Sequence, residues 1–339
     1  MSAVASADAR AVAPSAAAAP LVVEGLTTSI RIGGRWFDAV REVSFEVHGR
    51  ETLALVGESG CGKSLTALSI MGLLPAGVGR IAGGRITVDG IDITAANEAG
   101  RQAIRGERIG MIFQEPMTSL NPVLPVGFQI AEALIEHRGM RRRAAMARAL
   151  ELMELVRIPA AAQRLTAYPH QFSGGMRQRV MIAIALACAP KVLIADEPTT
   201  ALDVTIQGQV LALLADLQAR EGLAVLLITH NLGVVASVAD RVMVMYGGDV
   251  VESAPAKPFF RRPTHPYSEA LLAAMPRVDR PSQALAPIPG QVPTLPDMPA
   301  GCRYQSRCPL RIERCAERPP LNTLAGDPDH RARCWVRAP

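Results

Sequence analysis

The sequence predicts an α/β fold: a mixed β-sheet core, mainly parallel and covered by helices, with an antiparallel β subdomain before it and a helical insertion within it. Three observations carry this. Strand-like apolar runs at 192–195, 224–228 and 242–245 alternate with helical periodicity at 204–221 and 231–238. A glycine-rich loop, Gly57-Glu58-Ser59-Gly60-Cys61-Gly62-Lys63-Ser64, links the apolar run 53–56 to apolar residues at helical spacing over 65–71. Between 115 and 187, helical periodicity replaces alternation.

Taken in order, residues 1–20 are Ala, Ser, Val and Pro with Asp8 and Arg10 among them. They lack a basic start followed by an apolar core, so they read as a disordered tail and not as a signal peptide. Residues 21–47 alternate apolar and polar around a Gly33-Gly34 turn and read as antiparallel strands. The glycine-rich loop and its helix close near Gly72, 85–90 reads as a strand and turn, and the strand 109–113 delivers Gln114 at its end. After the turn-rich 116–125, helices are expected at 126–137, 141–156 and 175–187. Beyond about 258 proline becomes frequent and four cysteines gather. The expected division is a tail at 1–20, one domain at 21–258 with its helical part at about 115–187, and a C-terminal extension at 259–339.

Bulk properties narrow the class. Half of the residues are apolar, enough for a large core. The net charge of +5 is spread along the chain, and its densest run, Arg141-Arg142-Arg143, reads as the decoration of a helix end. No nucleic-acid partner is expected. The longest apolar run, 180–190, has eleven residues, short of the roughly 18 that suggest a membrane span. These features predict a cytosolic protein with mostly reduced cysteines.

The residues that carry chemistry start with the loop. Glycines let backbone N–H groups curl around phosphate oxygens, and the following helix N-terminus adds a favourable dipole. Lys63 places a point charge on the β- and γ-phosphates, and the Ser64 hydroxyl is a ligand for Mg²⁺. Only Lys63, Lys191 and Lys257 are lysines among 36 basic residues, so a lysine here is not background composition. Asp196 and Glu197 follow the strand 192–195; an aspartate there holds Mg²⁺ with the loop hydroxyl, and the adjacent glutamate orients or deprotonates water. Ser173-Gly174-Gly175-Met176 opens a helix and makes a second anion-seeking helix start. His230 ends the strand 224–228.

Together these residues resemble the ABC (ATP-binding cassette) ATPase domain, a P-loop NTPase, over about residues 21–255. Gly57 to Ser64 matches the Walker A loop and Gln114 the Q-loop. Phe172-Ser173-Gly174-Gly175-Met176 matches the signature, 192–196 followed by Glu197 the Walker B, Ala201-Leu202-Asp203 the D-loop, and His230 the H-loop. Met176 stands where many cassettes have glutamine, and Leu65 follows Ser64 where Thr or Ser is common; neither removes a phosphate-binding group. The resemblance implies an aromatic stacked on adenine, with Trp36 the first choice and Phe37 the reserve.

It also implies a mechanism. Two cassettes pack head to tail, each ATP lying between one chain's Walker A and the other's signature. The loop residues Gly57, Ser59, Gly60, Cys61, Gly62, Lys63, Ser64 and Leu65, with Asp196 and Gln114, would hold MgATP. Ser173, Gly174 and Gly175 would meet the γ-phosphate of the opposite site. Glu197 would polarise water, His230 would position it, and Gln114 would link Mg²⁺ (ligated by Ser64, Gln114 and Asp196) to the helical insertion. A soluble cassette acting on DNA or ribosomes would show a coiled-coil insertion or tandem cassettes, and this chain shows neither. Glu197 and His230 also argue against a regulatory module without turnover.

Within the ABC proteins, three stretches look like the oligopeptide/dipeptide importer ATPases: 115–122 (Glu-Pro-Met-Thr-Ser-Leu-Asn-Pro), 168–179, and Thr264-His265-Pro266-Tyr267-Ser268. Gly301-Cys302-Arg303-Tyr304 and Arg307-Cys308-Pro309 in the extension agree. The resemblance implies a peripheral ATPase on the cytoplasmic face of the cell membrane. Its partners would be two permease subunits, a second ATPase (a heterodimer being favoured) and, indirectly, an extracytoplasmic solute-binding protein. The same subfamily serves peptides, nickel chelates and glutathione.

Cys302, Cys308, Cys315 and Cys334 have five, six and eighteen residues between neighbours. These gaps are wider than the paired spacing usual for structural zinc, whereas a [4Fe–4S] cluster tolerates varied spacing. Some subfamily members carry such a cluster here. The order of expectation is cluster, then zinc, then unligated thiols. Cys61 and Cys188 read as small packing residues.

Overall fold

In the computed structural model, which describes residues 19–114, 119–199, 202, 204–275 and 287–338, the chain opens on a long antiparallel hairpin. Strands β1 (Leu21–Ile32) and β2 (Arg35–Val47) pair from Leu21↔Val47 to Ile32↔Arg35 around the Gly33-Gly34 turn. β4 (Gly79–Val88) and the two-residue β5 (Ile91–Asp92) complete a four-stranded sheet in the order β2-β1-β4-β5. The expected tail lies almost wholly outside the described residues.

A second sheet of eight strands holds β3 (Thr52–Val56), β6 (Ile109–Ile112), β7 (Val192–Asp196), β8 (Ala224–Thr229), β9 (Arg241–Tyr246) and β10 (Asp249–Pro255). β3, β7 and β8 are buried at every residue, as expected of parallel strands covered on both faces. Two further strands, β11 (Asn322–Leu324) and β12 (Asp327–Ala332), come from the C-terminal region. β12 pairs antiparallel with β10, so the sheet runs β11-β12-β10-β9-β3-β8-β7-β6. The extension thus continues the main sheet, which its proline and cysteine content had not signalled.

The helices follow the expected periodicity within a residue or two. They are α1 (Lys63–Met71), α3 (Val126–Arg138), α4 (Arg142–Leu155), α6 (Gly174–Leu186), α7 (Val204–Glu221) and α8 (Leu232–Val238), with α2 (Glu98–Ile104) and a four-residue α5 (Ala161–Arg164) between them. α2 escaped sequence analysis because it buries only Ile104, although Asn97 caps it by accepting the Gly100 N–H at 2.9 Å. α3, α4 and α6 share one apolar cluster with α7, including Ile130, Ala149, Leu152, Val180 and Leu214. The second cluster lies between the two sheets, and the third joins β9 and β10 to α9 (Ala256–Arg261) and α10 (Pro266–Ala273). Among the described residues no helix is long and apolar enough to cross a membrane.

Candidate active site

Four parallel strands deliver the site. β3, β8, β7 and β6 lie side by side, with Val56 paired to Thr229, Ile228 to Asp196, and Ala195 to Ile112. Their carboxyl ends share one edge, where the chain leaves β3 into 57–64, β7 into Glu197, β8 into His230 and β6 towards Gln114. Ligands of open α/β sheets bind at such an edge.

The loop's shape is fixed by its glycines. A Cβ on Gly57 would overlap the Met245 carbonyl oxygen and stand 2.7 Å from Cys61 Sγ. Gly62 takes φ 105° as the N-cap of α1, a conformation that L side chains rarely adopt. Lys63 is 5% exposed, and its Nζ donates to the carbonyls of Gly57 (2.8 Å) and Glu58 (3.0 Å). Cys61 is fully buried beneath the loop, where burial raises its thiol pKa. Ser59 and Gly60 are exposed at the crest, and Leu65 packs on the inter-sheet core.

Asp196 is 4% exposed. Burial raises its pKa, the Glu197 charge adds to the rise, and the hydrogen bond from Ser64 and the Lys63 charge oppose it. Its Oδ1 has no hydrogen-bond partner among the described residues. An orphaned, buried carboxylate oxygen beside a serine hydroxyl suits Mg²⁺, a hard cation that takes oxygen ligands. The raised pKa means that the native chain holds more protons than the unfolded chain, so Asp196 costs stability as pH climbs from its unfolded value through its folded one. Asp196→Asn should therefore raise the Tm of metal-free protein at neutral pH while weakening Mg²⁺-dependent nucleotide binding; calorimetry with and without Mg²⁺ checks both.

Glu197 stands at φ 48°, a left-handed value for a non-glycine residue, and is held there by its N–H bond to the Ile228 carbonyl at 2.8 Å. One carboxylate oxygen lies 3.1 Å from His230 Nδ1, and the other accepts from Gln114 Nε2 at 3.2 Å. Asn231, next to His230, caps α8 by accepting from Gly233 and Val234. Gln114, Glu197 and His230 are thus brought together at the edge that carries Lys63, Ser64 and Asp196.

Other predicted residues lie elsewhere. Ser173 caps α6, accepting from Met176 N at 3.4 Å, and a Cβ on Gly175 would stand 2.6 Å from Ile206. Among the described residues no hydrogen bond joins Ser173, Gly174 or Gly175 to residues 57–64. Trp36 is exposed on β2 beneath the Arg80 guanidinium, 4.4 Å from the ring centroid, and Phe37 lies 5.4 Å from that of Arg35. Ala39 and Val40, a little further along β2, border Gly62. Ala201, Asp203 and 115–118 lie outside the described residues.

The C-terminal cysteines are neighbours. Cys302 N–H bonds to the Cys315 carbonyl at 3.0 Å. Burial pushes the Cys302 thiol up to about 12, and Cys315, Cys308 and Cys334 add to the rise. All six cysteines of the chain are free. Yet among the described residues no group of three or more His, Cys, Asp or Glu is placed to hold a metal ion. Zinc therefore finds no support in the arrangement of the four thiols, since tetrahedral zinc with Zn–S near 2.3 Å requires sulfurs roughly 3.8 Å apart. Nor does the structure display a formed ligand sphere for a [4Fe–4S] cluster.

Glu58 has no signal of its own in the loop's sequence. Its N–H and carboxylate meet Tyr267 and Arg307, and pairs over 200 residues apart leave no local pattern to read.

Two helix starts rich in glycine, a Lys-Ser-Asp set with Lys63 and Asp196 buried, and a Gln-Glu-His cluster on one sheet edge define an ATP-binding cassette. The chain belongs to the ABC transporter family: the profile "ABC transporter" matches residues 40–200, and "Oligopeptide/dipeptide transporter, C-terminal region" matches 251–315. It is 49% identical to the dipeptide transport ATP-binding protein DppD of Bacillus subtilis over 94% of each chain. It is 51% identical to the oligopeptide transport ATP-binding protein AppD of the same organism, covering 88% of this chain and 90% of that one. A putative peptide import ATP-binding protein of Brucella abortus is 51% identical over 93% of this chain and 96% of its own. Among solved structures, the ATP-binding cassette MJ0796 in a dimeric post-hydrolysis state with ADP and Pi superposes with TM-score 0.63 at 28% identity, over 70% of this chain and 98% of that one.

Proposed function

We propose that this chain is the ATP-hydrolysing subunit of an importer that moves di- or oligopeptides across the cytoplasmic membrane, working from its cytoplasmic face. The observation that carries the hydrolytic part is the convergence of Gln114, Glu197 and His230 beside Lys63, Ser64 and Asp196. The peptide cargo is supported by the names of relatives about half identical over nearly the whole chain.

The loop N–H groups and Lys63 would cradle the β- and γ-phosphates, with Trp36 or Phe37 against the adenine. Ser64, Asp196 and Gln114 would hold Mg²⁺, which supplies charge neutralisation on the phosphate oxygens. Glu197 accepts a proton from water as the water oxygen bonds to the γ-phosphorus and the bond to ADP breaks. His230 orients Glu197 and the water. Ser173, Gly174 and Gly175, remote from this loop, serve the γ-phosphate of a second cassette packed head to tail. That cassette is a related chain in our reading, with two permease subunits contacting the helical residues 115–187 and a solute-binding protein acting through them. Residues 21–258 would form the cassette and 259–339 the extension.

Affinity purification of the tagged chain from its native membrane tests the assignment. Two permeases and a second cassette should co-purify; recovery with ribosomes or DNA repair proteins and no permease would overturn it.

For the extension we propose that Cys302, Cys308, Cys315 and Cys334 ligate a [4Fe–4S] cluster. The gathering of the cysteines supports this, with the Cys302 N–H bonded to the Cys315 carbonyl and the Cys302 and Cys308 thiols each raised in part by their cysteine neighbours, and a cube of iron and sulfide needs its thiolates further apart than a single ion does. Anaerobically purified protein should contain about four iron and four sulfide per chain. A colourless, iron-free preparation would refute it.

A further inference from the structure

We infer that Arg307 is a positioning residue of the phosphate loop: it clamps the Glu58 carboxylate while Tyr267 accepts the Glu58 N–H, so the C-terminal extension sets the loop that binds ATP. The inference rests on residues 57–64 being that loop.

Glu58 is the loop's second residue, and all its polar groups are engaged. Its carbonyl accepts from two partners within the loop, Lys63 Nζ at 3.0 Å and the Cys61 N–H at 3.3 Å. Its N–H donates to Tyr267 Oη at 2.8 Å. Its carboxylate takes both arms of the Arg307 fork, at 2.6 Å from Nη1 and 3.2 Å from Nη2. Such bidentate pairing fixes orientation as well as distance.

The clamp itself is rigid. Arg307 is 4% exposed at its side chain, its Nε donates to Pro289 O at 2.8 Å, and Nη2 also reaches Ile288 O at 3.3 Å. The guanidinium lies 5.7 Å from the Tyr246 ring centroid. Tyr246 contacts Tyr267 (4.7 Å between centroids) and Tyr304 (5.0 Å), so three buried rings hold both anchors of Glu58 in one block. Tyr246 ends β9, and its neighbour Met245 is the residue against which Gly57 is pressed. Both ends of the Gly57–Glu58 peptide are therefore referred to the same block.

Docking of the extension does not need Arg307. Buried Glu252 accepts from the N–H groups of Thr264 and His265 and pairs with His330 at 2.7 Å. Asp249 binds Arg318, and Arg303 donates to the Gly247 and Asp38 carbonyls. What Arg307 adds is aimed at the loop. A loop held in its phosphate-binding shape loses less conformational freedom when ATP arrives than one that orders on binding.

The test is the affinity of the purified full-length chain for a non-hydrolysable ATP analogue with Mg²⁺, measured by calorimetric titration alongside Tm for each variant. Arg307→Met should raise Kd about tenfold. Glu58→Gln should raise it similarly, the double variant should be no weaker than the weaker single one, and Arg307→Lys should fall between wild type and Arg307→Met. Should Arg307→Met not fold, Glu58→Gln and Arg307→Lys carry the test. Kd values of the variants within twofold of wild type, while Lys63→Ala loses binding, would show that Arg307 only staples the extension and overturn the inference. Fully additive losses in the double variant would also overturn it. Undiminished binding by Lys63→Ala would instead remove the loop assignment beneath it.

Discussion

Replacing Glu197 by Gln will lower ATP turnover by roughly 10²–10⁴-fold, the range contributed by a positioned general base, while leaving MgATP bound. The amide keeps the size of the carboxylate and can still meet His230 and Gln114, which lie 3.1 and 3.2 Å from its two oxygens in the native chain. It cannot take a proton from water. The neighbouring Asp196 is no substitute, because it is buried and engaged by Ser64. Phosphate release by the assembled complex and retention of labelled ATP measure the two halves of the prediction. ATP should also hold the variant in a closed cassette dimer, visible by gel filtration. Normal turnover would refute the role assigned to Glu197.

Asp249→Ala is expected to cost about 3–5 kcal/mol of stability, the penalty for removing one partner of a buried charge pair. Asp249 is 2% exposed and is shared by Arg41, whose Nε lies 3.0 Å away, and Arg318, at 2.9 Å. Arg303 stands close by. Burial brings its pKa down to about 10, with the Arg41 and Arg318 charges acting in the same direction and Asp249 opposing them. Without the carboxylate, three guanidinium groups would crowd one site where the β2 hairpin, the β9–β10 turn and the extension meet. Urea denaturation followed by circular dichroism reads the loss. A change below about 1 kcal/mol, the range typical of surface pairs, would mean that water reaches the cluster and compensates.

Asp249 also marks the limit of what could be read from residues in order. Strands β3, β6, β7, β8 and β9 were legible because each is a short apolar run, and each run is buried in one parallel sheet. The helices α3, α4 and α6 were legible from their 3.6-residue periodicity. The chemical residues were legible because local chain geometry places them: Lys63 at a helix start, Asp196 at a strand end, Ser173 at a cap. α2 was missed for want of an apolar face. β11 and β12 were missed because three and six mostly polar residues beside a proline-rich stretch carry no strand signal. Contacts between distant segments are set by tertiary packing, so Arg41 with Asp249 and Glu58 with Arg307 leave no trace in local sequence.

The cysteines show the same limit from the other side. Their gathering in sequence was visible, and the structure makes them neighbours. Spacing alone left the ligand open, and no group placed to hold a single ion is found among the described residues.

Peptide uptake by cells in which the Glu197→Gln form replaces the wild-type chain is the decisive measurement. Uptake of labelled di- or oligopeptides should fall to background while the protein remains at normal abundance at the membrane. Uptake at the wild-type rate would contradict the importer assignment.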